Sequence, residues 1–378
     1  MVSKRILILG AGFGGLELAT SLSEALGDSV AVTLIDKADA FVFGYSKLDV
    51  LFGRQTADAV HLPYRNVVKP GVSLKRETVT SIDPAARKVT TNVAIHEADI
   101  LVIALGADYD VSTTPGVVLG QNEFYSVPGA VHLRDVLPTF HKGHAVIGVC
   151  GAPYKCPPAP SECALMLHDY LISRGVRGDC QITLVNPLPS PVPPSPETSA
   201  ALIEAFAERG IQYVPGRRVA SVDEGRKTVT LDDAQQLPCE LFLGVPKQRA
   251  PDVVVATGLT EDGWVTVDQR TLATKYPDVY AIGDLANGGH PKAGVFAENT
   301  ARTVSANLIS VLRQQEPTAK NPGAGSCYIE FGGDRVARVD VDFFSGPKPT
   351  GSYHAPSLEL RAAKDQFGAI RRARWFGR

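Results

Sequence analysis

Long apolar runs are missing from this 378-residue chain. No stretch of about 18 hydrophobic residues occurs, which argues against a membrane-spanning helix. Charge of one sign is missing too: 38 Lys+Arg against 40 Asp+Glu leave a formal net charge of −2, and no broad basic face is implied for nucleic acid. Cysteine is scarce, and six in a chain of this length do not staple a fold. Nor do they read as a metal site. Cys150, Cys156 and Cys163 stand six and seven apart, unlike the close pairs that zinc prefers. No C-x-x-C-H occurs, so no haem is tethered to the chain. Any cysteine chemistry is then redox or nucleophilic, against the commoner outcome of an inert buried thiol. The opening "MVSKRILILGAG" enters an apolar run at once, leaving no space for a signal peptide, and the expected location is cytoplasmic.

What is present is 44% hydrophobic content over a length sufficient for two or three cored domains of α/β type. "KRILILGAGFGGLELATSL" is an apolar run followed by Gly10, Gly12 and Gly15 in G-x-G-x-x-G register and then a helical pattern. Gly10 permits the tight turn, Gly12 lets backbone approach a pyrophosphate, and Gly15 lets the helix pack closely on the strand. A second strand, "VAVTLID", ends at Asp36, 21 residues beyond Gly15, where a carboxylate accepts from ribose hydroxyls. Late in the chain "VYAIG" ends at Gly283-Asp284, where a carboxylate can bond a ribitol hydroxyl. "ADILVIALGA" (98–107) reads as a strand leaving the first domain at Gly106, and "PDVVVATGL" (251–259) as the strand crossing back.

Taken in order, these motifs resemble the flavoproteins with two dinucleotide folds, the superfamily of glutathione reductase, type II NADH dehydrogenases and sulfide:quinone oxidoreductases. The resemblance covers roughly residues 1–318 and implies FAD. The second nucleotide turn selects within the superfamily. After "HAVIGV" the chain reads "CGAPYKCPPAP", crowding Cys150, Cys156, Pro157, Pro158 and Pro160 where a glycine turn would hold NAD(P)H, and the next strand ends in Asn186. Proline has no N–H to offer a phosphate. "C-P-P-A-P" ahead of a helix resembles the sulfide:quinone oxidoreductase and flavocytochrome c sulfide dehydrogenase group, with a redox cysteine at Cys156. The second redox cysteine of that group matches Cys327, in "GAGSCYIEFGG". "PKAGVFAENTA" matches as well, and the resemblance places Lys292 and Gly294 by the flavin pyrimidine.

That membership implies a disulfide or polysulfide bridge over the flavin, attack by hydrosulfide to give a persulfide, and two electrons passed to FAD. Quinone is the acceptor expected ahead of cytochrome c. An NAD(P)H-dependent disulfide or polysulfide reductase is the alternative, and a non-catalytic signalling flavoprotein a third reading. Many members carry a further redox cysteine, but residues 107–149 hold none, and "ADAFVFGYSK" offers no cysteine to tether the flavin, so FAD is expected to be non-covalent. Lys155 and helix N-termini are expected to acidify Cys156. Glu162 is the candidate acid or base, with His132, His141 and His168 behind it.

The predicted organisation is discontinuous. Residues 1–107 and 252–318 form an FAD domain, 108–251 a second Rossmann-like domain, and 319–378 a small α+β domain carrying Cys327. The Pro-rich run at 186–206 reads as a solvated linker or a lid. In the tail, Leu360, Ala363, Phe367 and Ile370 share one helical face, while Arg371, Arg372, Arg374 and Arg378 interleave with Trp375 and Phe376. Such a face either rests on the inner side of an anionic membrane or docks on the body of the protein. A homodimer stays open.

Overall fold

The computed structural model describes residues 4–377. Two parallel sheets carry the architecture. The first contains β1 (Arg5–Leu9), β2 (Ala31–Asp36), β3 (Val72–Arg76) and β4 (Ile100–Ile103), and the second β5 (Gly143–Val149), β6 (Cys180–Asn186), β7 (Ile211–Pro215) and β8 (Leu241–Val245). A late strand, β9 (Val279–Ala281), returns to the first sheet beside β4, giving the order β9-β4-β1-β2-β3. The second sheet runs β7-β6-β5-β8. Every pairing in both sheets is parallel. Strands β1, β4, β5 and β8 are near-continuous apolar runs, as parallel strands covered on both faces require. The two sheets and their covering helices are the expected pair of Rossmann-like folds.

Seven helices of six residues or more matter here: α1 (Phe13–Leu26), α2 (Ser46–Leu51), α3 (Val127–Val136), α4 (Ala159–Ser173), α5 (Pro196–Glu208), α6 (Gly294–Leu312) and α7 (Leu358–Phe376). The C-terminal portion is an antiparallel sheet of β10 (Ala324–Gly332), β11 (Arg335–Asp342) and β12 (Thr350–Ser357), closed by α7. One face of this sheet joins the core around α4, through Ile329, Phe331, Ala337, Val339 and Val341.

Three expectations need correction. The run 251–259 is not a strand: Asp252–Val255 is a single helical turn. Pro251 precedes this turn, and Asp252 in its first turn suits a helix start and pairs with Arg249 at 2.5 Å. The crossing is made instead by an antiparallel ladder of Asp108–Tyr109 with Gln248–Arg249. The Pro-rich run is neither linker nor lid. Pro191 and Val192 are buried, Ser195 caps α5 by accepting from the Thr198 N–H, and Gly351 of β12 packs against Ser195.

The tail does not present its aromatics to a membrane. Trp375 is 0% exposed and Phe376 is buried, both in the core of the first sheet, while Ile370 faces solvent at 54%. The expected arginines are largely taken: Arg371 bonds Glu298, and Arg374 bonds Glu17 and Glu24. Arg378 lies outside the described residues. Among those residues no helix is long and apolar enough to cross a membrane, and no group of His, Cys, Asp and Glu forms a metal site.

Candidate active site

One cavity of about 1160 Å³ lies along the edge of the first sheet and reaches the Cys156 loop. It exceeds the ~300–1,000 Å³ usual for a drug-sized ligand. Several helix N-termini line it: Gly12 to Gly14 of α1, Tyr45 and Lys47 of α2, Ser126 to Pro128 of α3, Ala159 of α4, and Ala293, Gly294 and Ala297 of α6. At α1 and α6 the helix dipole and first-turn N–H groups favour an anion, whereas at α4 the Ala159 N–H is already bonded to the Cys156 carbonyl.

The glycine turn behaves as its spacing predicts. Gly10 has φ +98°, and a Cβ there would stand 2.4 Å from the Ala104 carbonyl oxygen. At Gly15 a Cβ would stand 1.8 Å from the Gly10 carbonyl oxygen, so only glycine lets α1 seat on β1. Gly12 has nothing within 4 Å and opens directly on the cavity. Asp36 closes the turn, accepting from the Ala11 N–H at 2.7 Å and the Ala38 N–H at 2.8 Å. It lines the cavity with Gly106 and Gly283.

Asp284 is the second carboxylate of the cavity. Its Oδ1 is buried without a partner. Burial raises its pKa, opposed by the charges of Lys155, Lys292 and Lys47. An orphaned buried acceptor facing a long cavity is the feature a ribitol hydroxyl would satisfy. Together with the open Gly12 turn and the N-termini of α1 and α6, the residues fit FAD.

Lys292 and Lys155 both stand apart from their expected roles. The Lys292 ammonium turns away from the cavity and donates to the carbonyls of Asp284 at 2.7 Å and Ala286 at 3.3 Å, lying 3.5 Å from the centre of the Trp264 ring. Burial pulls its pKa down to about 8. It braces the Asp284 turn, while Gly294, at the start of α6, does line the cavity. Lys155 does line the cavity, with Lys37 and Lys47, and donates to the Ala107 carbonyl at 3.0 Å and the Tyr109 hydroxyl at 3.3 Å.

Cys156 is held in a left-handed backbone, φ +52°, which a side-chain-bearing residue adopts only under constraint. Its N–H donates to the Lys292 carbonyl at 2.7 Å, and its carbonyl accepts from the Ala159 N–H at 2.9 Å and the Tyr125 hydroxyl at 3.4 Å. Tyr125 also donates to the Lys155 carbonyl at 2.8 Å. Cys156 lines the cavity. Cys327 does not, and instead packs against the same core from β10.

The two thiols and Glu162 form one electrostatic group. Burial raises the Cys156 thiol well above its usual range, and the charges of Glu162 and Cys327 add to the rise. Cys327 is pushed up to about 12, by burial and then by Glu162 and Asp340. This corrects the expectation of an acidic Cys156: Lys155 points elsewhere, and Lys364 is the cation that opposes the rise. Glu162, in the first turn of α4, is 2% exposed, and burial lifts its pKa to about 7. Its Oε1 accepts the Glu330 N–H at 3.0 Å, and the Lys364 ammonium stands 4.0 Å away. Lys364 of α7 also bonds Glu330 at 2.5 Å, and Arg54 and Arg361 flank that carboxylate at 3.2 and 3.6 Å. Lys364 and Glu330 were not singled out in the sequence. A lysine three residues before Phe367 on a mixed helix face carries no local sign of burial. His132, His141 and His168 do not line the cavity, and Cys150, Cys163, Cys180 and Cys239 are buried thiols.

The position of a second nucleotide turn is closed. Tyr154 is 2% exposed, and its hydroxyl reaches the Asn186 Oδ1 and the Pro157 carbonyl, each at 3.3 Å. Pro157, Pro158 and Pro160 remove three N–H groups from the start of α4, leaving a phosphate few donors.

Residues 4–306 match the family model for pyridine nucleotide-disulphide oxidoreductases. The mitochondrial sulfide:quinone oxidoreductase of Mus musculus is 24% identical over 364 residues, covering 91% of this chain and 79% of its own. The type II NADH:quinone oxidoreductase of Staphylococcus saprophyticus is 25% identical over 348 residues, covering 84% of this chain and 81% of its own. Among solved structures, the sulfide:quinone oxidoreductase of Aquifex aeolicus superposes with a TM-score of 0.86 at 20% identity, covering 98% of this chain and 92% of that one.

Proposed function

Since this chain belongs to the pyridine nucleotide-disulphide oxidoreductase family and is an FAD-dependent oxidoreductase, we propose that it oxidises sulfide at Cys156 and Cys327 and delivers the electrons to a quinone. The observation that carries this reading is Cys156 itself. A thiol lines the flavin cavity at the head of a proline-rich loop, where a pyridine-nucleotide enzyme would need phosphate donors. The names of the mouse and Aquifex relatives support the same substrate pair.

FAD, when bound, takes up two electrons per sulfide oxidised and releases them to quinone. The rest falls to the chain. With the two cysteines oxidised as a disulfide, sulfide attacks one sulfur, forming one S–S bond and breaking another. A persulfide remains on the attacked cysteine and a thiolate leaves on its partner. Because Cys156 lines the cavity and Cys327 does not, Cys327 is the attacked sulfur and Cys156 the leaving one that faces FAD. Glu162, with its pKa near neutrality, takes the proton from the incoming hydrogen sulfide. Because burial raises both thiol pKa values, the Cys156 thiolate is a poorer leaving group than an ordinary cysteine, and the Lys364 charge is what offsets this.

The proposed division of labour assigns residues 1–107 and 252–318 to FAD, 108–251 to the redox loop, and 319–378 to Cys327 and the covering helix. Anaerobic titration of the purified protein tests the function. Sulfide should bleach the flavin, soluble quinone should restore it, and NADH should do nothing. Rapid bleaching by NADH with none by sulfide would replace this reading with the nicotinamide one.

A further inference from the structure

We propose that α7 is a latch that retains FAD and that Trp375 is its keystone, acting through Phe13 as a positioning residue. Phe13 opens α1 and lines the cavity, and it also wedges against α6, where a Cβ on Gly294 would stand 2.7 Å from its ring. It is therefore one of the contacts that set the spacing of α1 and α6 at the cavity. The Trp375 ring meets Phe13 edge-on at 5.5 Å and 90°, and it meets Phe41, a second cavity-lining ring, at 5.6 Å.

Buried charge fixes the latch in place. The Trp375 Nε1–H donates at 2.8 Å to Glu17, one turn beyond Phe13 on α1 and 1% exposed. Arg374 and Arg302 bond the same carboxylate at 3.2 and 2.9 Å. Arg302 belongs to α6 and also bonds Glu298, which accepts two further bonds from Arg371 of α7 at 2.9 and 2.6 Å. At the end of α7, the Lys69 ammonium donates to the Arg374 carbonyl at 2.6 Å. One helix is thus tied to a buried glutamate on each of α1 and α6, two of the helices whose N-termini line the cavity. An apolar contact would hold the helix at least as stably, whereas the directed charges also fix its register. That register places the Trp375 edge against Phe13. The inference concerns cofactor retention and holds for any electron donor.

The test uses the purified holoprotein and follows release of FAD as fluorescence recovering on dilution. Trp375→Ala should release FAD about tenfold faster, the loss of aromatic edge contacts alone being of that order. Trp375→Phe keeps a ring against Phe13 but loses the bond to Glu17 and should fall between wild type and Trp375→Ala. Val229→Ala, a fully buried change in a separate hydrophobic cluster, is the comparison for general destabilisation. Faster release than Val229→Ala at matched melting temperature supports the latch. Release at the wild-type rate, or equal to that of Val229→Ala, overturns it. If Trp375→Ala does not fold, Trp375→Phe carries the same comparison with the same two outcomes.

Discussion

Replacing Lys364 with methionine is the sharpest probe of the redox site. Methionine preserves most of the packing volume and removes one charge, 4.0 Å from Glu162 and 2.5 Å from Glu330. Two unit charges 4 Å apart interact by about 4 kcal/mol at an effective dielectric of 20, an upper bound on the shift. Relaxation and the neighbouring Arg54 and Arg361 reduce this, and a realistic loss is about 1–2 kcal/mol, or about one pKa unit. The sign is fixed by the geometry. Burial holds the Glu162 pKa at about 7 while Lys364 draws it down, so loss of the lysine moves it further up. If the carboxylate form is the working base, the alkaline-going rise in the rate of sulfide-dependent flavin bleaching moves up by about one pH unit. Stopped-flow absorbance across pH 5.5–9 reads it (about that range brackets the Glu162 value). Sulfide ionises in the same region, so Glu162→Gln supplies the reference profile from which the Glu162-dependent limb is missing. A Lys364→Met profile superimposable on wild type, in a protein with normal FAD content, would refute the assignment of Glu162.

Three further outcomes follow from the same geometry. A Glu162 pKa of about 7 against an ordinary 4.5 means the folded state holds this proton more tightly, so stability is fully present below 4.5 and is lost as pH rises through 7. Glu162→Gln should therefore gain up to about 3 kcal/mol over wild type at pH 8 (as an order of magnitude) and little at pH 4.5, measured by denaturant unfolding. Cys156→Ser and Cys327→Ser should each abolish bleaching by sulfide while retaining FAD, and Cys163→Ser should bleach normally. Gly15→Ala should yield protein without FAD, because its Cβ would meet the Gly10 carbonyl at 1.8 Å and lift α1 off its strand. Flavin content per chain after purification checks that one.

The parts of this molecule legible in the sequence are those whose physics is local. A glycine turn states its purpose within six residues, so Gly10, Gly12 and Gly15 needed no structure to interpret. Asp36 and Asp284 stand at strand ends, where the chain itself fixes direction. Proline crowding after β5 was likewise readable, because missing N–H groups are a property of the residues alone. What could not be read depends on partners far along the chain. Lys292 and Lys155 are both lysines beside key motifs, and only folding shows that Lys155 lines the cavity while Lys292 bonds the Asp284 and Ala286 carbonyls outside it. The tail misled for a similar reason. Arginines interleaved with aromatics suit a membrane surface as well as a protein surface, and the decision rests on Glu17, 358 residues before Trp375. One clue was available: Glu17 interrupts the apolar run Leu16–Leu18 of α1, and an acid there needs a cation from elsewhere. The thiol pKa values were missed in direction, since adjacency to Lys155 in sequence does not make it a neighbour in space.

The place of β9 in the first sheet has a consequence for synthesis. A ribosome finishes the second sheet at Val245, but the first sheet lacks its edge strand until Ala281 has emerged. At translation rates of roughly 5–20 residues per second, the interval is about 2–7 s. During it β4 presents an unpaired parallel edge, the kind of surface on which strands from other chains add. The later-encoded sheet is then complete first, and the nascent N-terminal half waits, exposed, for a strand encoded some 175 residues after its neighbour.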